Sequence, residues 1–177
     1  MAAGAIIYKA SLNIANMDTH YYAEHDLTIA KHPSENDLRL MVRIIAFVLN
    51  ASEDLAFSKG ISADDEPDIW EKKLDGEIKL WIDLGQPDEK RIRKACGRSE
   101  EVIIYTYQDG AARSWWKQEE NKLKRFKNLK VIFLKIEENV DVLTQRSMKL
   151  QANMMDAELT LLDDVHSVVI ESEVWKA

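Results

Sequence analysis

The stretch 67–94 constrains the fold of this 177-residue chain more than any other. Across 77–84 polar and apolar residues alternate, with Ile78, Leu80 and Ile82 on one side and Trp81 and Asp83 on the other. That is the period of a half-buried strand. Gln86-Pro87-Asp88-Glu89 then reads as a helix start, with proline in the first turn and two acids at the positive end of the helix dipole. The helix carries Lys90, Arg91, Arg93 and Lys94, with Lys90 and Lys94 opposite Ile92, and the β-rich run 102–107 that follows suits a strand buried on both faces.

The flanking sequence fits around this unit. Residues 6–16 alternate well enough for a strand, and 21–32 supply its antiparallel partner across a turn at 17–20. Ser34, followed by Asp37, reads as the N-cap of the most apolar helix, which runs to about Ala51. Its stripe is Leu38, Met41, Ile45, Val48 and Leu49, widened by Ile44 and Phe47. A short strand is expected at 55–57, a helix at 111–126 with Ala112, Trp116 and Leu123 inward, a buried strand at 131–134 and a short helix at 140–143. Strands at 148–153, 158–162 and 165–174 close the chain. This order predicts an α/β fold whose mixed sheet is flanked by helices, parallel in its middle and antiparallel at its ends. No repeat, low-complexity tract or linker interrupts it, so a single domain over 1–177 is expected.

Charge narrows the partners. A net charge of −7 argues against a whole-surface binder of nucleic acid or membrane. The charge is uneven, however. Between Lys90 and Arg98 stand five basic residues and no acid, and 117–130 holds six basic residues against two glutamates. A polyanion would meet local patches. Cys96 is the only cysteine, which excludes an intrachain disulfide and points to a reducing compartment. Lying between Ala95 and Gly97 with Ile92 four back, it reads as a buried helix residue with no nucleophilic role. No secretory signal and no apolar run of membrane-spanning length is present, so the cytoplasm is the expected location.

Candidate chemistry sits on carboxylates. Asp68 falls just before one strand and Asp83 at a neighbouring strand's end, so the two can meet across a sheet and hold Mg²⁺ through hard oxygen ligands. Equally, Asp83 beside Gly85 reads as a turn residue, and 64–68 as a solvated acidic loop. Glu35, Arg39 and Arg43 recur every four residues, either as an ion-pair strip on a solvated face or as one wall of an active site. Trp115-Trp116 reads as packing rather than a base-stacking platform. Trp70, Trp81 or Trp175, if exposed, would anchor a protein partner.

His32-Pro33-Ser34-Glu35 with the basic strip behind it, Ala63-Asp64-Asp65-Glu66-Pro67, Leu80-Trp81-Ile82-Asp83-Leu84-Gly85 and Trp115-Trp116 together resemble the YaeQ family of Gram-negative bacteria, over essentially the whole chain. The resemblance implies a variant of the PD-(D/E)XK restriction-endonuclease-like fold, with a helix-borne Glu35, a motif aspartate at Asp68 and a second carboxylate at Asp83. A regular motif has lysine two residues after that carboxylate, where this chain has Gly85; Lys90 or Lys94 of the next helix would take its place. The implied activity is magnesium-dependent cleavage of DNA or RNA. Asp68 and Asp83 would hold Mg²⁺ (or Mn²⁺), which activates a water and draws charge from a phosphate oxygen. Glu35 would act through water, Lys90 or Lys94 would orient the attack, and Arg39, Arg43 and Arg91 would bind substrate. Gly85 favours the alternative: a catalytically silent nuclease-fold module that binds nucleic acid or a protein partner in a regulatory role.

Overall fold

The computed structural model describes residues 4–58, 65–137 and 139–177. They form an α/β fold with a mixed sheet, gathered into two compact units. One holds the residues up to Val48 with Ile136–Ser172, the other Leu49–Lys135 with Glu173–Ala177.

In the first unit, strands β1 (Ile6–Asn16) and β2 (Tyr21–Lys31) form an antiparallel hairpin in the register Ile6↔Lys31 to Asn16↔Tyr21. The alternation of Tyr8, Ala10, Leu12 and Ile14 buries one face of β1, as a period of two requires. After β2 comes helix α1 (Asp37–Leu49). Its cap differs from the expected one. Asn36 Oδ1 accepts from the Arg39 amide at 2.8 Å, while the Ser34 hydroxyl bonds His32 Nδ1 inside a turn closed by Glu35 N–H to His32 O. Both residues are good caps; the turn uses up the first and leaves the second. The helix is buried continuously from Leu40 to Val48 rather than along one stripe.

A strand late in the chain, termed β8 here (Ser147–Met155), runs parallel to β1 from Lys9↔Ser147 to Asn16↔Met154. Beyond it β9 (Glu158–Leu162) and β10 (Ser167–Lys176) continue antiparallel. A parallel pair therefore lies among strands expected to be antiparallel throughout. Its partners are separated by most of the chain, and no local signal specifies such a pairing.

In the second unit, β3 (Leu55–Phe57), β4 (Ile69–Lys72) and β5 (Ile78–Leu84) are antiparallel neighbours. β5, β6 (Ser99–Thr106) and β7 (Leu129–Ile136) are parallel, joined through α2 (Glu89–Arg98) and α3 (Asp109–Leu123). Both helices cover one face: Ile92, Ala95, Trp115 and Leu123 pack with Trp81, Val102, Ile104 and Val131. Trp115 rather than Trp116 is thus the inward tryptophan, and its indole N–H is satisfied by Pro87 O at 2.8 Å. Helix α2 is capped by Asp88, which accepts from the Arg91 amide, so Pro87 precedes the cap instead of entering the first turn.

β5 departs from simple alternation. Lys72 opposes Ile78 and Glu71 opposes Leu80, which leaves Lys79 as an extra residue. The irregularity puts Ile78 in the same cluster as Trp81. From Trp81 to Leu84 the strand is buried on both faces, because α2 covers the side that the alternation would leave to solvent. Cys96 on α2 is half-buried, and burial pushes its thiol up to about 11, which suits a packing role.

Candidate functional site

The two aspartates meet across the β4–β5 pair. Ile69 opposes Ile82, and the Asp68 amide donates to Ile82 O at 3.1 Å, so the register continued by one residue sets Asp68 opposite Asp83. Both are buried, and both stand at the carboxyl end of β5, beside β6. Ligands of parallel α/β sheets favour that end.

What each carboxylate touches decides its chemistry. Asp83 Oδ2 accepts from Arg91 Nε at 2.8 Å and from the Trp81 indole N–H at 3.0 Å; Oδ1 accepts from Arg91 Nη2 at 3.0 Å. The guanidinium grips the carboxylate bidentately, and Nη2 also donates to Glu66 O at 2.9 Å. Asp68 Oδ2 accepts the Leu84 amide at 3.0 Å. Mg²⁺ needs oxygen lone pairs and negative charge turned toward it. Here Asp83 has given both oxygens to a cationic side chain, so the pair as arranged does not fit a divalent ion. Among the described residues no group of three His, Cys, Asp or Glu is placed to hold one.

The lysines of α2 do not reach this carboxylate in place of Arg91. Lys94 Nζ bonds Asp65 Oδ1 at 2.8 Å, and that contact holds the Asp65 carboxyl below its usual range. Lys90 is exposed on the opposite side of the helix from Ile92. Position 85 explains the missing lysine. Gly85 has φ +94° and its amide donates to Tyr105 O at 2.8 Å, so the chain leaves the sheet there in the left-handed region that side chains disfavour. Asp64 lies outside the described residues.

Glu35 belongs to the first unit and precedes α1, so it is not borne on the helix as expected. The same His32–Glu35 turn that displaces the cap holds it there. Its Oε1 accepts from Arg43 Nη2 at 2.7 Å, and its Oε2 from Arg43 Nε at 2.9 Å and Arg39 Nη1 at 3.0 Å. Arg43 Nη2 reaches Ala30 O as well. Glu35 and Arg43 are buried, which overturns the reading of the strip as a solvated ion-pair ladder. Two arginines on one acid leave a net positive charge, the wrong sign for attracting a cation.

The tryptophans also differ from expectation. Trp81 is 1% exposed and cannot anchor a partner. Trp70 lies under Lys72 Nζ at 3.8 Å, and Trp175 stacks on Phe133 and Trp116. Sequence reasoning missed two polar contacts near the strand ends. Asn50 Nδ2 donates to the Tyr105 hydroxyl at 2.8 Å, and Gln86 Nε2 to Thr106 Oγ1 at 3.3 Å. Only the pairing of strands reveals them, since their partners lie twenty or more residues apart.

A family model described as YaeQ protein matches residues 1–172. The chain is 41% identical to the YaeQ protein of Escherichia coli (strain K12) over 178 residues, covering 99% of this chain and 98% of that one. It is 39% identical to the Salmonella typhi protein of the same name over an equal span. Among solved structures, the YaeQ protein of Xanthomonas axonopodis pv. citri superposes with a TM-score of 0.93 at 45% identity, over 98% of this chain and 99% of that one. The Pseudomonas syringae YaeQ structure gives 0.91 at 30% identity, over 98% and 97%. With whole-length matches in sequence and in backbone, this chain belongs to the YaeQ family.

Proposed function

We propose that the chain is a nucleic-acid-binding module, a variant of the PD-(D/E)XK nuclease fold that binds without cleaving. The observation that carries this reading is the bidentate Arg91–Asp83 pair, in which a guanidinium stands where a divalent cation would have to stand. A tethered cation can balance a buried carboxylate, but it cannot activate water as a metal does. The backbone at Gly85 supports the same reading, because a lysine there would have to adopt φ near +94°.

The test is an incubation with single- and double-stranded DNA and RNA in Mg²⁺ or Mn²⁺, alongside a binding titration in chelator. Binding that survives chelation, with no cleavage in either metal, is the expected result. Metal-dependent cleavage abolished by Asp83→Asn would overturn it.

A second reading, Mg²⁺-dependent phosphodiester hydrolysis, is favoured by one observation: Asp68 and Asp83 oppose each other at a strand end where α/β sheets bind ligands. In that reading Asp68 and Asp83 would hold the ion, which would activate a water, and Lys90 or Lys94 would assist.

A further inference from the structure

Most basic residues of α2, α3 and the strand that follows are already engaged, and Arg98 donates to Asp65 O at 2.9 Å. Arg91 is held by Asp83, Lys94 by Asp65, Arg93 and Arg125 by Glu89, Arg113 by Asp109, Lys122 by Glu119 and Lys130 by Glu101. Lys90, Lys117, Lys124 and Lys127 are exposed, and no ion pair joins them to an acid among the described residues. On α2, Lys90 points directly away from the inward pair Ile92 and Ala95. Lys117 on α3 and Lys124 at its C-cap stand seven residues apart on the side away from Ala112, Trp115 and Leu123, and Lys127 follows in the turn. Because α2 and α3 cover the same sheet face and are tied by the Arg125–Glu89 ion pair, all four lysines decorate the outer surface of one helical layer.

The charge of this region opposes that of the chain. Residues 89–130 hold twelve basic against six acidic residues, a local +6 in a chain of −7, so the remainder carries −13. Such separation gives a polyanion one side to approach and repels it from the rest. The aromatic side chains of the same unit offer it little. Trp116 lies between Trp115 and Trp175, Trp175 also stacks on Phe133, and Arg113 sits over both Phe133 and Trp175. Trp70 is covered by Lys72, and Trp81 is buried. Binders of single strands need open aromatic platforms, and RNA readers stack splayed bases on them. A layer of exposed lysines with engaged aromatics suits the regular phosphates of a duplex.

Resting on the nucleic-acid reading above, we infer that the outer face of the α2–α3 layer, through Lys90, Lys117, Lys124 and Lys127, is a docking surface for the phosphate backbone of double-stranded DNA, without base readout and without metal.

The experiment measures fluorescence-anisotropy binding of the full chain to a labelled 20-base-pair DNA duplex across a salt series, in chelator, with matched single-stranded DNA and duplex RNA as further arms. The variants are the combined Lys90→Gln, Lys117→Gln, Lys124→Gln, Lys127→Gln chain and, as a control for net charge, Lys149→Gln in the first unit. If all four lysines contact phosphates, the slope of log K against log salt falls by about 3.6 in the combined variant, whereas the control is unchanged. A combined variant that binds like wild type overturns the surface and leaves the nucleic-acid reading standing. Tighter binding of the single strand or of duplex RNA overturns the choice of DNA duplex. Wild-type protein that binds none of the three overturns the surface, and if it fails to bind single-stranded RNA as well, the proposed function falls with it.

Discussion

Arg91 Nε and Nη2 lie 2.8 and 3.0 Å from the two oxygens of Asp83, so one helix residue neutralises the carboxylate at the end of β5. The acid is 2% exposed, and the Trp81 indole adds a third bond. Breaking such a pair from the cation's side leaves a buried charge with too few partners. Arg91→Ala is expected to cost about 3 kcal/mol, toward the lower end of the range for buried pairs because the arginine is itself partly exposed. Asp83→Asn keeps an acceptor for Trp81 and should cost less. Urea denaturation of the two single variants and the double variant checks this. A loss for Arg91→Ala no larger than the ~0.5 kcal/mol of an ordinary surface change would contradict it.

The two arginines on Glu35 should behave unequally. Arg43 is buried, binds both carboxylate oxygens and also reaches Ala30 O, whereas Arg39 bonds Oε2 through Nη1 and its side chain is 22% exposed. Arg43→Ala should destabilise by about 3 kcal/mol, and Arg39→Ala by about 1 kcal/mol or less. Equal losses in chemical denaturation would show that the burial difference does not govern the cluster.

Alkaline pH should weaken the fold in a predictable window. Burial pushes the Tyr105 hydroxyl from 10.0 up to about 12, against the Asn50 hydrogen bond, and the Cys96 thiol from 9.0 up to about 11. Both groups stay neutral in the folded chain after they have ionised in the unfolded one. Between these values the unfolded chain therefore binds fewer protons, and stability falls as pH rises. The contribution is complete below about pH 9 and is lost progressively toward pH 12. Tyr105→Phe should flatten the upper part of that decline in thermal melts taken from pH 8 to 11.5. An unchanged profile would remove Tyr105 as its source.

Restoring the regular motif should damage the protein and not repair it. A Cβ at Gly85 meets nothing within 4 Å, so Gly85→Lys faces no clash, but φ +94° is strained for any L side chain. The expected cost is about 1–2 kcal/mol, with no gain of metal-dependent cleavage. Cleavage appearing in this variant would instead support the hydrolytic reading.

Much of the architecture was legible in the residues. The alternation of Tyr8, Ala10, Leu12 and Ile14 specified β1, the turn 17–20 specified its hairpin partner, and the strand–helix–strand order around α2 specified a parallel segment. These are local properties, in which side-chain period and turn chemistry act over a few residues. The nearness of Asp68 and Asp83 was legible too, because each sits at a strand boundary.

Tertiary structure decided what those acids do. Whether Asp83 faces a metal, water or an arginine depends on how α2 lies across β5, and that is set by the packing of Ile92 and Ala95 against Trp81, Val102 and Ile104. Spacing placed Glu35, Arg39 and Arg43 on a common strip, but only burial turned the strip into a closed ion cluster. The β1–β8 pairing joins strands from opposite ends of the chain, and each could have paired elsewhere on local grounds alone. A sequence determines which groups carry charge and the period of its elements; the dielectric around a charge and its partners belong to the packed molecule.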